Sequence, residues 1–210
     1  MADAEALLAE AGHEVVFPPA QVCCGQPAFN AGHRRAAARV ARGFVRAFSH
    51  ELPVVVPSGS CATMLAHYLP ELLGVEPYDV RELSSFLLDA RLPRRNEGRV
   101  VAYHDSCHML RELRLRDEPR TLLERSGARL VELARPDLCC GFGGTFSVRQ
   151  PDVSVAMADD KLGDAGQKQV DALVTADPGC LLHLRGRAAR AGAVRVVHLA
   201  SALARGIGAG

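Results

Sequence analysis

Leu130-Val131-Glu132-Leu133, a turn through Pro136-Asp137, then Leu138-Cys139-Cys140-Gly141: this stretch sets a short apolar strand pattern just before two adjacent cysteines and a glycine. The same order occurs upstream, where Val15-Val16-Phe17 runs through Pro18-Pro19 into Cys23-Cys24-Gly25. A helical and then a strand pattern follow each pair. Each unit ends on one further cysteine, in Ser58-Gly59-Ser60-Cys61 and in Asp177-Pro178-Gly179-Cys180. Between Cys24 and Cys61 lie 36 residues, and between Cys140 and Cys180 lie 39. Agreement in order, cysteine placement and length marks an internal duplication.

Outward from these units, short apolar runs alternate with amphipathic ones. Helices are expected over 2–11, 32–48, 61–68 and 80–90, and again over 107–113, 119–126, 152–165, 179–191 and 199–205. Strands are expected over 14–17, 53–56, 99–103, 129–133, 172–175 and 194–197. The polar stretch 91–98, with its Pro and Arg residues, divides the chain into halves 1–90 and 99–210. The alternation predicts an α/β fold: two tandem, related βαβ cysteine-rich halves with parallel sheets. Ligands of such sheets sit in the loops beyond the carboxyl ends of the strands, and the cysteines fall on those loops. Cys107, in His104-Asp105-Ser106-Cys107-His108, has no counterpart in the first half. Its interval to Cys139, 31 residues, counted back from Cys23 falls before Met1. The expectation is that an N-terminal strand and a cysteine are missing there, through a late start site or a shortening.

The 210 residues carry a net charge of +1, with scattered arginines, so nothing points to nucleic acid or an anionic surface. Trp is absent and aromatics make up 5%, which argues against a stacking platform. No apolar run reaches the ~20 residues of a membrane span, and the first ten residues lack the features of a signal peptide. A cytoplasmic protein is expected, not integral to the membrane. In that compartment its seven cysteines, an odd number, read as ligands or redox groups before disulfides.

Cys107, Cys139, Cys140 and Cys180 leave three strand ends of one sheet and can converge. Cys107 and Cys180 sit at expected helix starts, where free amides and the helix dipole favour thiolates. Gly141, Gly143 and Gly144 let the backbone approach closely, so that their amides reach sulfur. Cys23, Cys24 and Cys61 form a second, smaller set. A single core cysteine is usually a small hydrophobe, but that does not explain a repeated arrangement. Tetrahedral zinc rivals an iron–sulfur cluster. Zinc sites use cysteines two to four residues apart, a spacing not found here, which favours a cluster. His33, His104, His108 and His183 lie near these loops and read first as surface or capping residues. Ser58 and Asp177, each three residues before a cysteine, read as N-caps or turn residues. The glycines at 141–144 lack the Lys-Ser/Thr of a phosphate loop.

Cys23-Cys24-Gly25-Gln26-Pro27-Ala28, Pro57-Ser58-Gly59-Ser60-Cys61, the run from Tyr103 to Arg111 and the run from Cys139 to Ser147 together resemble the lactate utilization protein A family. These are cysteine-rich CCG proteins related to one of the subunits of heterodisulfide reductase and to the iron–sulfur subunit of glycolate oxidase. The resemblance covers almost the whole chain. It implies two cysteine-rich domains holding an iron–sulfur cluster, expected to be 4Fe–4S. It also implies partner subunits in a complex that oxidises L-lactate to pyruvate without a nicotinamide cofactor. A thiol–disulfide oxidoreductase of the heterodisulfide reductase type and a zinc-stabilised scaffold are the alternatives. The full pattern of the reductase relatives ends in Cys-x-x-Cys; Ser58 and Asp177 replace the first cysteine of that pair here.

Overall fold

The computed structural model describes residues 2–208. Residue 1 and residues 209–210, at the outer ends of the two expected halves, lie outside it. The order is α1 (Ala2–Glu10), α2 (Gln26–Asn30), α3 (Arg34–Ala47), β1 (Val54–Val56), α4 (Gly59–Thr63), a π-helical turn (Met64–Tyr68), α5 (Leu69–Leu73), β2 (Val80–Glu82) and α6 (Leu83–Phe86). Then come β3 (Val100–Tyr103), a second π-helical segment (His108–Leu113), α7 (Asp117–Arg125), β4 (Arg129–Leu130), α8 (Phe146–Arg149), α9 (Pro151–Gln167), β5 (Ala172–Thr175), α10 (Pro178–Ala191), β6 (Val196–His198) and α11 (Leu199–Arg205).

Two parallel sheets result, as expected. β1 pairs with β2, Val54 opposite Val80 and Val56 opposite Glu82. The larger sheet has the order β4-β3-β5-β6. β5 is buried along its whole length and β3 nearly so, because helices cover both faces and only apolar residues tolerate that. From β3 the chain crosses to β4 on one side. It then returns past β3 to β5 and β6 on the other. The connections after β3 and β5 therefore lead to opposite sides, the switch-point topology in which a ligand site is expected outside their carboxyl ends. β1 and β2, each followed by a helix, repeat β5 and β6 in miniature.

Three expectations need correction. Residues 14–17 form no strand, although Val15 is partly buried. Among the described residues the segment pairs with no strand, and Val16 and Phe17 stay exposed. Residues 80–90 are not one helix. Val80–Glu82 joins the sheet as β2, and the Glu82 carboxylate then caps α6 by accepting the Ser84 amide. Pairing with β1 overrides a weak helical pattern. The helices expected at 61–68 and 107–113 both run in π register for part of their length. In the first case the skip comes just before Pro70, which lacks the amide an α-turn needs. Elsewhere the boundaries agree within a few residues.

α1 packs mainly against the second half, its strongest partner being α11. Its Leu7 and Leu8 join Leu83 and Leu87 in the core formed by β3, β5, α7 and α11, which Val55 of β1 also borders. A second core lies under α9 and α10, and a third holds β1, α3 and α4. On α3 the buried Ala37, Ala41 and Phe44 make one stripe at helical spacing. The 91–98 stretch is fixed rather than loose. Buried Asn96 donates to Ser126 Oγ and Ala202 O, both at 2.9 Å, and accepts from Ile207 N at 2.8 Å. No helix among the described residues is long and apolar enough to cross a membrane.

Candidate metal centre

The loop after β3 carries His104, Asp105, Ser106 and Cys107. Arg120, on α7, anchors it with a planar fork. Its Nη1 and Nη2 donate to the two Asp105 oxygens at 2.7 and 2.9 Å, and its Nε donates to Glu132 at 2.6 Å. Asp105 is buried, so this bidentate pairing is what makes its charge tolerable. The same guanidinium holds the Glu132 carboxyl below the usual carboxylate range. Ser106 Oγ accepts from Met109 N, which starts the π segment beside Cys107.

The second Cys-Cys-Gly loop is pinned from α9. Fully buried Lys161 donates to the carbonyls of Arg135 and Pro136 at 2.6 and 3.0 Å. Asp164 accepts from the amides of Ala134 and Arg135. Gly141 has φ 88°, and a Cβ there would lie 2.5 Å from the Ser154 carbonyl oxygen, so only glycine fits. Its amide reaches Cys139 Sγ at 3.4 Å, and the Phe142 amide reaches Cys140 Sγ at 3.5 Å. Cys140 and Cys180 bring their sulfurs to 3.0 Å, far beyond the ~2.05 Å of a disulfide. Cys180 lies in the first turn of α10, where the dipole favours negative charge.

The first half repeats this in detail. Gly25 has φ 90°, and a Cβ there would lie 2.8 Å from Ala37 O of α3. The Gly25 amide reaches Cys23 Sγ at 3.4 Å, and the Cys24 thiol reaches Cys61 Sγ at 3.4 Å. Ser58 caps α4 by accepting from Cys61 N, and Asp177 caps α10 by accepting from Gly179 N at 3.0 Å. Both act as the N-caps the sequence suggests. Asp177 does more: its other oxygen accepts Ser60 N of the first half at 2.8 Å. Gln26 and His108 meet across the same seam at 3.4 Å. The two thiol sets are thus held together by direct hydrogen bonds.

Burial and crowding shape the thiols. Cys139 is pushed up by its hydrogen bond with Cys140 and by burial. Cys107 is pushed up by burial and by the nearby Cys139 charge. Cys140 gains a lowering hydrogen bond from Cys139 but ends raised through its bond with Cys180 and through burial, and Cys180 gains a lowering bond from Cys140 but ends raised through burial and its neighbours' charges. In the first set Cys61 is the thiol that ionises, drawn down to about 7 by the bond from Cys24, while Cys24 keeps its proton. A multivalent cation would reverse the penalty on neighbouring thiolates. The donor set therefore fits a metal centre: soft sulfurs, amides directed at them, and a place at the carboxyl ends of parallel strands. Cys23 and Cys107 are the exposed members of the two sets.

Sequence reasoning did not single out Arg120 or Lys161, and it treated His104 like the other histidines. His183 hydrogen-bonds Ser154 at 3.2 Å, and His33 is exposed. His104 is different. It is buried at the end of β3, and both ring nitrogens lack a partner, an arrangement that costs about 1–3 kcal/mol per group. Burial and then the Lys161 charge push it down to about 3, so the ring is neutral at pH 7. One of its nitrogens and the sulfurs of Cys140 and Cys180 all lie within 4.8 Å of one another. The sequence hint is that His104 continues an apolar strand.

A groove of about 820 Å³ runs beside the first set, lined by Val16, Phe17, Val54, Val56, Cys24 and Cys61. Along it β1 has no strand partner among the described residues; its ladder goes to β2 alone.

Residues 2–66 and 101–185 match the cysteine-rich domain (CCG) family. The chain is 42% identical to lactate utilization protein A of Geobacillus kaustophilus, over 94% of this chain and 88% of that one. It is 40% identical to the protein of the same name in Anoxybacillus flavithermus, over 94% and 89%. It is 36% identical to lactate utilization protein A 2 of Bacillus cereus, over 96% and 89%. With both cysteine-rich regions matched and this identity extending over nearly its whole length, the chain belongs to the lactate utilization protein A family of CCG-domain proteins.

Proposed function

We propose that this chain is an iron–sulfur, electron-carrying subunit of a cytoplasmic complex that oxidises L-lactate to pyruvate without a nicotinamide cofactor. The observation that carries the reading is the meeting of Cys140 and Cys180, sulfurs 3.0 Å apart, at the switch point of the larger sheet, with Cys139 and Cys107 on the adjoining loops. Cys107, Cys139, Cys140 and Cys180 would hold one cluster, of the 4Fe–4S kind. Cys23, Cys24 and Cys61 would hold a second, more labile one. Bound there, a cluster supplies a reversible one-electron couple. The chain's own part is to hold the sulfurs and spread their charge. The amides of Gly25, Gly141 and Phe142 donate to three of them. The Arg120 fork and Lys161 fix the loops that carry Cys107 and Cys139. The exposed Cys107 and Cys23 mark the edges where electrons would pass to partner subunits.

The lactate role comes from the names of the relatives. The halves 1–90 and 99–210 would be the two cysteine-rich modules, each contributing one thiol set. A zinc-stabilised scaffold is the second reading, because the grouping of His104, Cys140 and Cys180 is also a donor set that zinc accepts. The test is an anaerobic titration of the reconstituted protein with dithionite, followed by reoxidation. Reversible bleaching of a broad visible absorption supports an electron carrier. A colourless protein containing zinc alone supports the scaffold and ends the electron-transfer reading.

A further inference from the structure

The proposed ligand set uses cysteines only and leaves His104 without a role. A core histidine ordinarily has its ring nitrogens satisfied. Here the main chain is satisfied, His104 N donating to Val174 O at 2.8 Å, and the ring is not. The ring makes no hydrogen bond to the two thiols beside it, even though its nitrogen and their sulfurs lie within 4.8 Å of one another. Cys140 instead meets Cys180 and the Phe142 amide. An ion about 2.0–2.3 Å from each of the three donors fits among them with small side-chain adjustments.

We propose that His104 is a nitrogen ligand of the second-half metal centre, beside Cys140 and Cys180. The proposal rests on the cluster reading above and revises its ligand set: His104 takes the place of one of the two thiolates outside this group, Cys107 or Cys139. A neutral imidazole in place of a thiolate leaves the centre one negative charge poorer, which raises its reduction potential. Among the described residues, no other group of three histidines, cysteines or carboxylates is disposed in this way.

Pulsed EPR of the reduced, reconstituted protein grown with 15N-histidine tests this, with iron and sulfide measured on the same sample. The expected result is a strongly coupled nitrogen that shifts with the label. It is lost in His104→Leu and kept in His108→Gln and His183→Gln. His104→Cys should retain iron and lower the midpoint potential. Should a leucine variant fail to fold, the labelled wild-type spectrum still decides. A loaded cluster with no histidine coupling, or coupling that survives His104→Leu, overturns the ligand role and leaves the cluster reading standing. Protein that takes up neither iron nor sulfide overturns both.

Discussion

The two Cys-Cys-Gly loops are built alike and finished differently. In each, a glycine with φ near 90° lies against a helix carbonyl, its amide reaches the first cysteine at 3.4 Å, and the second cysteine meets a cysteine in the first turn of the helix that follows the next strand. In the larger sheet β3 lies beside β5, and the loop that follows it brings His104 close to Cys140 and Cys180. Beside β1, no described strand does the same. The difference teaches that the loop gathers three thiols, while the neighbouring strand decides whether a fourth donor arrives.

The largest way to break the comparison is to remove the same thiol from each set. Cys140→Ser is expected to lose the second-half cluster entirely, whereas Cys24→Ser should remove only the labile fraction of iron. Iron content and visible absorption would report this, and equal losses would mean that the sets are equivalent. Next comes Arg120→Ala, which has no first-half counterpart. It leaves Asp105 buried and unpaired, an expected loss of about 3–5 kcal/mol in urea denaturation.

Glu82 and His198 occupy matching places, each capping the helix that follows its strand. They respond to pH in opposite directions. Burial raises Glu82 from 4.5 to about 7. The folded state therefore holds that proton more tightly than the unfolded state. The stability this gives is full below pH ~4.5 and is lost as pH rises through ~7, by an amount on the order of 3 kcal/mol. Glu82→Gln should flatten the slope in that window; an unchanged slope would show that Glu82 is not its source. Burial lowers His198, so its contribution is lost toward acid.

Gly141→Ala and Gly25→Ala should each cost about 1–3 kcal/mol through the strained φ. Gly141 should suffer more, because the carbonyl it faces is closer; thermal melts of the two variants would rank them. The smallest effect belongs to His33→Ala, exposed and outside both sets. It should keep its full iron content and change stability by no more than ~0.5 kcal/mol.

Much of this was legible in the sequence because it is local. Apolar runs with turn residues gave β3 and β5, helical spacing gave α3, α9 and α10, and the repeated cysteine placement gave the two sets. What stayed hidden depends on distant neighbours. Val15-Val16-Phe17 has a strand's composition, but a strand exists only with a partner, and pairing is not written in the segment. Val80-Arg81-Glu82 becomes a strand only because β1 lies beside it. Arg120 looks like any other helical arginine until the fold brings buried Asp105 to it. His104 resembles its neighbours His108 and His183 until burial strips away its partners.

The central claim is that the second thiol set is a working iron–sulfur site. Purification without oxygen, followed by iron and acid-labile sulfide analysis per chain, tests it most directly. The expected result is about four of each, retained in Cys24→Ser and lost in Cys140→Ser. Zinc alone, or neither iron nor sulfide after anaerobic reconstitution, would contradict it.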